Sequence, residues 1–360
     1  MMKHGIITFW IVLLAVLGAC STDESSSDLT KPVALGRAGD VLFVVDSTLW
    51  NGPVGKQLRT IFEQPMPGLP TDEAAYYVQR ISPYDLSNRF QQQRRNLVFV
   101  HVFNDKSAES QRMSTYFGKD VRERVDSDSS FFLATEENKF ARGQTVMYLF
   151  APTAADLLAQ LQENPQRILN RFRNSELKSI RDDVLKKENR SLERQLRNDY
   201  GFVIRLPENY KLALERDNFV WLRNMEAVLD RSIVIGWREY TSESQFSPDS
   251  VVAWRDQLGR YITGSDDTAS YMVTETYIPP DFETTTFNGR YAVESRGLWK
   301  MNDNRLGGVF LSYTFVDDAQ QRLYYVEGFI YAPNMDKREY LREMEALLQT
   351  FQPAKSQPDA

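Results

Sequence analysis

Residue types able to do chemistry are scarce in this chain, histidine and cysteine most of all. Of the two histidines, His4 lies near the N-terminus and His101 sits inside Leu97-Val98-Phe99-Val100-His101-Val102-Phe103. A histidine in such a buried-strand pattern reads as a packed core residue before it reads as a base, so a Ser-His-Asp triad has little to draw on. Asp126-Ser127-Asp128-Ser129-Ser130 with Glu137 matches most oxygen positions of a calcium loop, but Phe131 stands where the loop needs glycine. Ser175-Glu176-Leu177-Lys178 has the Ser-x-x-Lys spacing of penicillin-recognising enzymes without their partner motifs. No phosphate loop, nucleophile elbow or dinucleotide fingerprint occurs.

What remains is one carboxylate and a set of aromatic and arginine side chains. Asp46 ends the apolar run Val41 to Val45 ahead of a helix. That is where α/β sheets present ligands, and also where an aspartate orders a turn such as Ser47-Thr48. Trp50, Trp221, Trp237 and Trp299, with Arg255 and Arg296, have the composition of a glycan or peptide groove, or of a protein interface. Each also suits a core. Asp46, Trp50, Trp221, Arg255, Arg296 and Trp299 are therefore the candidate ligand or partner contacts. The residues suggest no catalytic group, no metal ligand and no cofactor.

Cys20 is the only cysteine. Lys3 supplies positive charge before it, and Gly5 to Ala19 is apolar apart from Thr8. The run falls short of the roughly 18 residues of a spanning helix, so residues 1–19 read as a cleaved signal peptide. Leu17-Gly18-Ala19-Cys20 resembles the lipobox of bacterial lipoproteins, in which the thiol receives a diacylglyceryl group and the new amine is usually acylated. Several chains, at about 0.8 kcal/mol per buried CH₂, make a durable anchor, so the expected partner is a lipid bilayer. Residues 20–35 begin as an acidic, serine-rich tether. Ser21 after the cysteine favours the outer membrane by the same resemblance, on its periplasmic or its surface face. Lipidation would consume the only thiol and cleavage would remove His4. Zinc sites built on histidine and cysteine would then be excluded within one mature chain.

About 340 residues would remain, which predicts two domains. The net charge of −6 argues against a nucleic-acid partner. Alternating strand and helix patterns predict an α/β domain over residues 36–164. Residues 165–200 read as one long bridging helix, whose ten basic and six acidic side chains over 165–199 are interspersed as on a solvated surface. Residues 201–353 predict an α+β domain with a mainly antiparallel sheet, flanked by helices and covered on one face, and residues 354–360 a polar, disordered tail. The fold class expected is α/β and α+β, two mixed sandwich-like domains. Thr145 to Pro152 and Glu327 to Pro333 both end a strand at Ala-Pro, which reads as a distant duplication or as common strand-to-helix chemistry.

Trp50-Asn51-Gly52-Pro53-Val54-Gly55, Gly68-Leu69-Pro70, Phe219-Val220-Trp221, Ser270-Tyr271-Met272, Arg296-Gly297-Leu298-Trp299, Gly307-Gly308 and Tyr331-Ala332-Pro333 form a recognisable set. On these the chain resembles, over nearly its whole mature length, an uncharacterised lipoprotein family of the Bacteroidetes group known as domain of unknown function 4837. The resemblance brings no activity with it. Val309 departs from the proline that members often carry after the double glycine. The C-terminal region is also loosely similar, in element order, to the α/β/α sandwich of PsbP-like proteins. Two functions are thus in view. The first is a non-catalytic envelope lipoprotein that binds a protein or polymeric ligand. The second is a carboxylate-based hydrolase acting on envelope glycan, which would need two facing carboxylates in an open cleft.

Overall fold

The computed structural model describes residues 30–264 and 269–354. Cys20, the signal segment, most of the tether and nearly all of the tail lie outside them. None of the described helices is long and apolar enough to cross a membrane.

The N-terminal half is built on continuous apolar runs. Its elements are β1 (Asp40–Val45), α1 (Ser47–Asn51), α2 (Pro53–Phe62), β2 (Tyr77–Ile81), α3 (Arg89–Gln92), β3 (Asn96–Val102), α4 (Ala108–Ser114), α5 (Lys119–Ser127), β4 (Leu133–Glu137), β5 (Thr145–Ala151), α6 (Ala154–Glu163) and α7 (Pro165–Val184). The sheet order is β2-β1-β3-β5-β4, parallel except for β4. Strands β3 and β5 are buried along their whole length, as strands covered on both faces must be. Leu58, Phe62, Leu161 and Phe172 from α2, α6 and α7 cover one face. Met113 and Val125 from α4 and α5 pack on the other. Pro53 and Gly118 each sit where a new helix starts, which separates α1 from α2 and α4 from α5.

The bridging helix is two helices. α7 stops at Leu185, and α8 (Arg190–Tyr200) starts where the Asn189 side chain accepts the Leu192 N–H at 3.1 Å. The remaining elements are β6 (Phe202–Val203), β7 (Lys211–Arg216), β8 (Phe219–Met225), β9 (Asp230–Glu239), α9 (Pro248–Gly259), β10 (Met272–Thr274), β11 (Asp281–Phe287), β12 (Arg290–Met301), β13 (Gly307–Asp317), β14 (Arg322–Tyr331), α10 (Arg338–Leu348) and β15 (Gln352–Pro353). An antiparallel sheet runs β10-β12-β13-β14-β9-β8-β7, and β11 pairs with β12 on the β10 side. Helices cover both faces rather than one. α8 and α10 pack on Leu311, Tyr324 and Val326, while α9 packs on Phe310, Tyr325 and Phe329. The strands alternate between the two apolar sets, which is why each face needs its own lid.

The halves differ in sheet order and strand direction, so the two Ala-Pro segments share a local strand ending and not a duplicated fold. α6 follows its strand at once, capped by Thr153. α10 starts seven residues beyond Tyr331, and its first N–H groups are received by Glu73 of the other half.

Candidate functional site

The candidate site is a cleft of 560 Å³ where the two halves meet. One wall is the loop Gln64 to Pro67 with Tyr76, and the floor is α7 through Gln166, Leu169, Asn170 and Arg173. The opposite wall is sheet, Asp281 to Glu283 of β11 with Glu294 and Arg296 of β12, closed below by Arg342 and Glu345 of α10. Gly68 brings loop and sheet together: its φ of +78° suits glycine, and a Cβ there would meet Arg296 Cβ at 2.6 Å.

The floor is an alternating charge network. Arg296 Nε donates to Glu294 at 2.5 Å and its Nη2 to Glu345 at 3.1 Å. Arg173 Nη2 lies 2.5 Å from Glu345 and 3.5 Å from Glu294. Beside it Arg342 pairs with the fully buried Glu176, which also accepts the Gly39 N–H at 2.8 Å and Asn96 Nδ2 at 3.0 Å. Three arginines thus meet three glutamates. Burial alone would raise Glu294; the Arg296 and Arg173 guanidiniums outweigh it and hold the carboxyl below its usual range. Burial works against the charged Arg296 as well, and Glu294 with Glu345 more than restores it. The guanidinium of Arg296 stands between the two carboxylates, and Glu294 stays ionised. Two carboxylates bridged by an arginine are not the open, facing pair that glycoside hydrolysis needs.

Of the six contacts expected from sequence, only Arg296 reaches this cleft. Asp46 is buried as the cap of α1. Its Oδ1 accepts from Thr48 N–H at 2.7 Å and its Oδ2 from Ser107 Oγ at 2.8 Å. Beside it Glu109 accepts from Ser47 N–H, Ser82 Oγ and Arg80. Burial opposes its charge, but those hydrogen bonds and Arg80 bring its pKa down to about 2, so this end of the parallel sheet is a closed polar cluster. Trp50 packs on Phe43 at 5.5 Å with the Arg59 guanidinium 4.7 Å over its ring. Trp221 is half-buried on the α9 face under Arg223. Arg255 pairs with Glu327 at 3.0 Å and lies 4.1 Å over Phe310. Trp299 is buried, with Nε1 donating to Ile330 O at 3.2 Å. Trp237 packs against Tyr200 and Phe202. No common groove gathers them, because covered sheets turn alternate residues into separate cores.

The other motifs separate too. His101 is buried, stacked on Phe117 and 3.2 Å from Ser114 Oγ, and burial brings its pKa down to about 4. Asp126 and Ser127 end α5, Asp128 accepts from Ser130, and Glu137 pairs with Lys178. Helix α5 and strand β4 occupy the span that a calcium loop would need, and in the Ser-x-x-Lys motif Lys178 pairs with Glu137 while Ser175 Oγ lies 3.5 Å from Thr145 Oγ1. Among the described residues no group of three or more His, Cys, Asp or Glu is placed to hold a metal.

Residues 189–350 match the model of a domain of unknown function (DUF4837). The C-terminal half is a DUF4837 domain. The resemblance expected over nearly the whole mature chain is thus confined to that half, and residues 34–184 match a different domain of unknown function (DUF8532). No curated protein matches the chain. Among solved structures, the Saccharomyces cerevisiae Ran-binding protein Mog1p is similar at 8% identity and TM-score 0.30, over 43% of this chain and 92% of that one. LpqN, titled as involved in cell envelope biogenesis of Mycobacterium tuberculosis, is similar at 14% identity and TM-score 0.27, over 42% of this chain and 83% of that one. Likeness this slight says nothing of function.

The break between α7 and α8 falls between the two matched spans, so α7 belongs with DUF8532 and α8 opens the DUF4837 domain. The cleft draws its loop and floor from the first and its sheet wall and α10 from the second. Glu294, Glu345, Arg173 and Arg342 escaped sequence reasoning because their pairings span up to 172 residues. Asn288-Gly289 was the usable signal. Asparagine-glycine is a strong hairpin mark, and it pairs β12 with β11, the strand that lines the cleft.

Proposed function

We propose that this chain is a lipid-anchored envelope protein that binds a ligand, without transforming it, in the cleft between its DUF8532 and DUF4837 halves. The cleft carries the reading: 560 Å³ is enough for a short stretch of peptide or glycan, and both domains contribute to its lining. Gln64, Gln166 and Asn170 offer hydrogen bonds, while Met66, Leu169 and Phe282 offer apolar contact. The neutralised floor gives rigid, preformed walls. The envelope location rests on Leu17-Gly18-Ala19-Cys20 and the tether after it.

Two measurements test the halves of this reading. Cys20→Ser should leave the precursor unlipidated and shift it out of the detergent-extracted membrane fraction; an unchanged distribution contradicts the anchor. Hydrogen-exchange mass spectrometry of the full chain, with soluble wall-glycan fragments and peptides of varied charge, should find a ligand that protects residues 64–67, 166–173 and 281–296 together. Failure of every probe to protect those segments contradicts the cleft.

A further inference from the structure

The sheet wall of the cleft is an unpaired edge. β11 pairs with β12 along all seven of its residues, from Asp281 opposite Arg296 to Phe287 opposite Arg290. Among the described residues its outer side has no strand partner and makes no backbone hydrogen bond. An edge of that kind is a template for another chain, and proteins usually guard it. The far edge of the same sheet is guarded: β7 carries Lys211 and is broken by a bulge between Leu212 and Leu214. β11 has no lysine, no proline and no bulge. The six residues between β10 and β11 lie opposite only Gly297 and Leu298, so the chain bulges out there and marks off β11 as a separate docking strand.

Charge selects the occupant. Asp281 and Glu283 lie opposite Arg296 and Glu294, on the cleft face of the sheet. The arginines and glutamates of the floor balance three against three, and among the described residues neither Asp281 nor Glu283 forms an ion pair. Glu283 stands directly across from Glu294, and like charges in such a pair are destabilising. A cation arriving at Glu283 removes that cost. The same two carboxylates repel an acidic strand, so the edge discriminates as well as attracts. We propose that β11 receives a basic segment of another protein, in extended conformation, as an added outer strand of the DUF4837 sheet. Main-chain hydrogen bonds would hold it, and alternate lysine or arginine side chains would meet Asp281 and Glu283 in the cleft.

This inference rests on the cleft reading and is tested separately from it. The probe is a fluorescent seven-residue peptide of alternating lysine and valine, titrated into the full chain by anisotropy. It should bind, while the glutamate–valine counterpart should not. The exposed double change Asp281→Asn with Glu283→Gln should weaken binding by roughly tenfold and flatten its salt dependence, with no loss of melting temperature and a small rise as the Glu283–Glu294 repulsion is removed. N-methylation of alternate peptide nitrogens keeps every side chain and removes strand donors, and it should abolish binding. Equal binding of the methylated peptide, or of both charge types, overturns the inference. If a neutral glycan or an acidic peptide protects the cleft in hydrogen exchange while the lysine peptide does not, strand addition fails and the cleft stands. If no probe protects it, both fail.

Discussion

Glu176 shows what a single residue does at this interface. Arg342, Asn96 and the Gly39 N–H all converge on a carboxylate with no exposed surface. Glu176→Gln keeps the shape and leaves the Arg342 guanidinium buried without its counter-charge. Stability in urea should fall by about 3–5 kcal/mol, the range for breaking a buried pair by removing one partner. A loss under 1 kcal/mol would mean that the arginine finds other partners. His101 makes a second prediction, from pH. Its folded pKa of about 4 lies below the unfolded 6.5, so folding favours the neutral ring. That contribution is complete above pH 6.5 and is lost as pH falls toward 4, by about 2 kcal/mol at pH 5. Glu109 loses its contribution as pH falls from the ordinary carboxylate range toward 2, whereas Glu343 and Glu339, raised by burial, act in the opposite sense, so the histidine's share is read from the variant. His101→Leu should flatten the stability profile between pH 6.5 and 4, and a profile as steep as the parent's would assign the slope elsewhere.

At the scale of elements, α10 starts without a cap of its own, and Glu73 supplies one from the other half. Glu73→Ala should cost about 1–2 kcal/mol in thermal or urea unfolding, the worth of a cap at a helix dipole. Gly307 and Gly308 begin β13 instead of forming a turn, so Val309 continues a strand where a proline would end its ladder. A Cβ on Gly308 would fall 1.9 Å from Ile330 O, across the Trp299 bond to that oxygen. Gly308→Ala should destabilise by about 2–3 kcal/mol, and a neutral result would show that β13 and β14 separate without cost. Buried elements were legible in the sequence: β3, β5 and β14 fall close to their apolar runs because burial on both faces leaves no polar alternation to misread. β7 and β11 were not legible. Edge strands face water on one side, and Lys211-Leu212-Ala213-Leu214 and Asp281-Phe282-Glu283-Thr284 lack the apolar density that marks a core strand.

The whole molecule is two domains joined through charge. Glu73 and Glu176 reach from the first half to α10, and Arg173 reaches to β12 and α10. Two-domain architecture and the scarcity of histidine and cysteine could be read from the chain, while the cleft could not, because its residues come from six separate segments. Only Arg296 was named beforehand, and for its type rather than its place. The central claim is that the cleft is where this protein meets its ligand. A photo-crosslinking residue at Gln166, on the cleft floor, should yield a discrete adduct when the lipidated chain is irradiated in its own envelope. The same group at the exposed Lys119 on α5, away from the cleft lining, should yield none. Adducts of equal yield from both positions, or none from Gln166, would contradict the account.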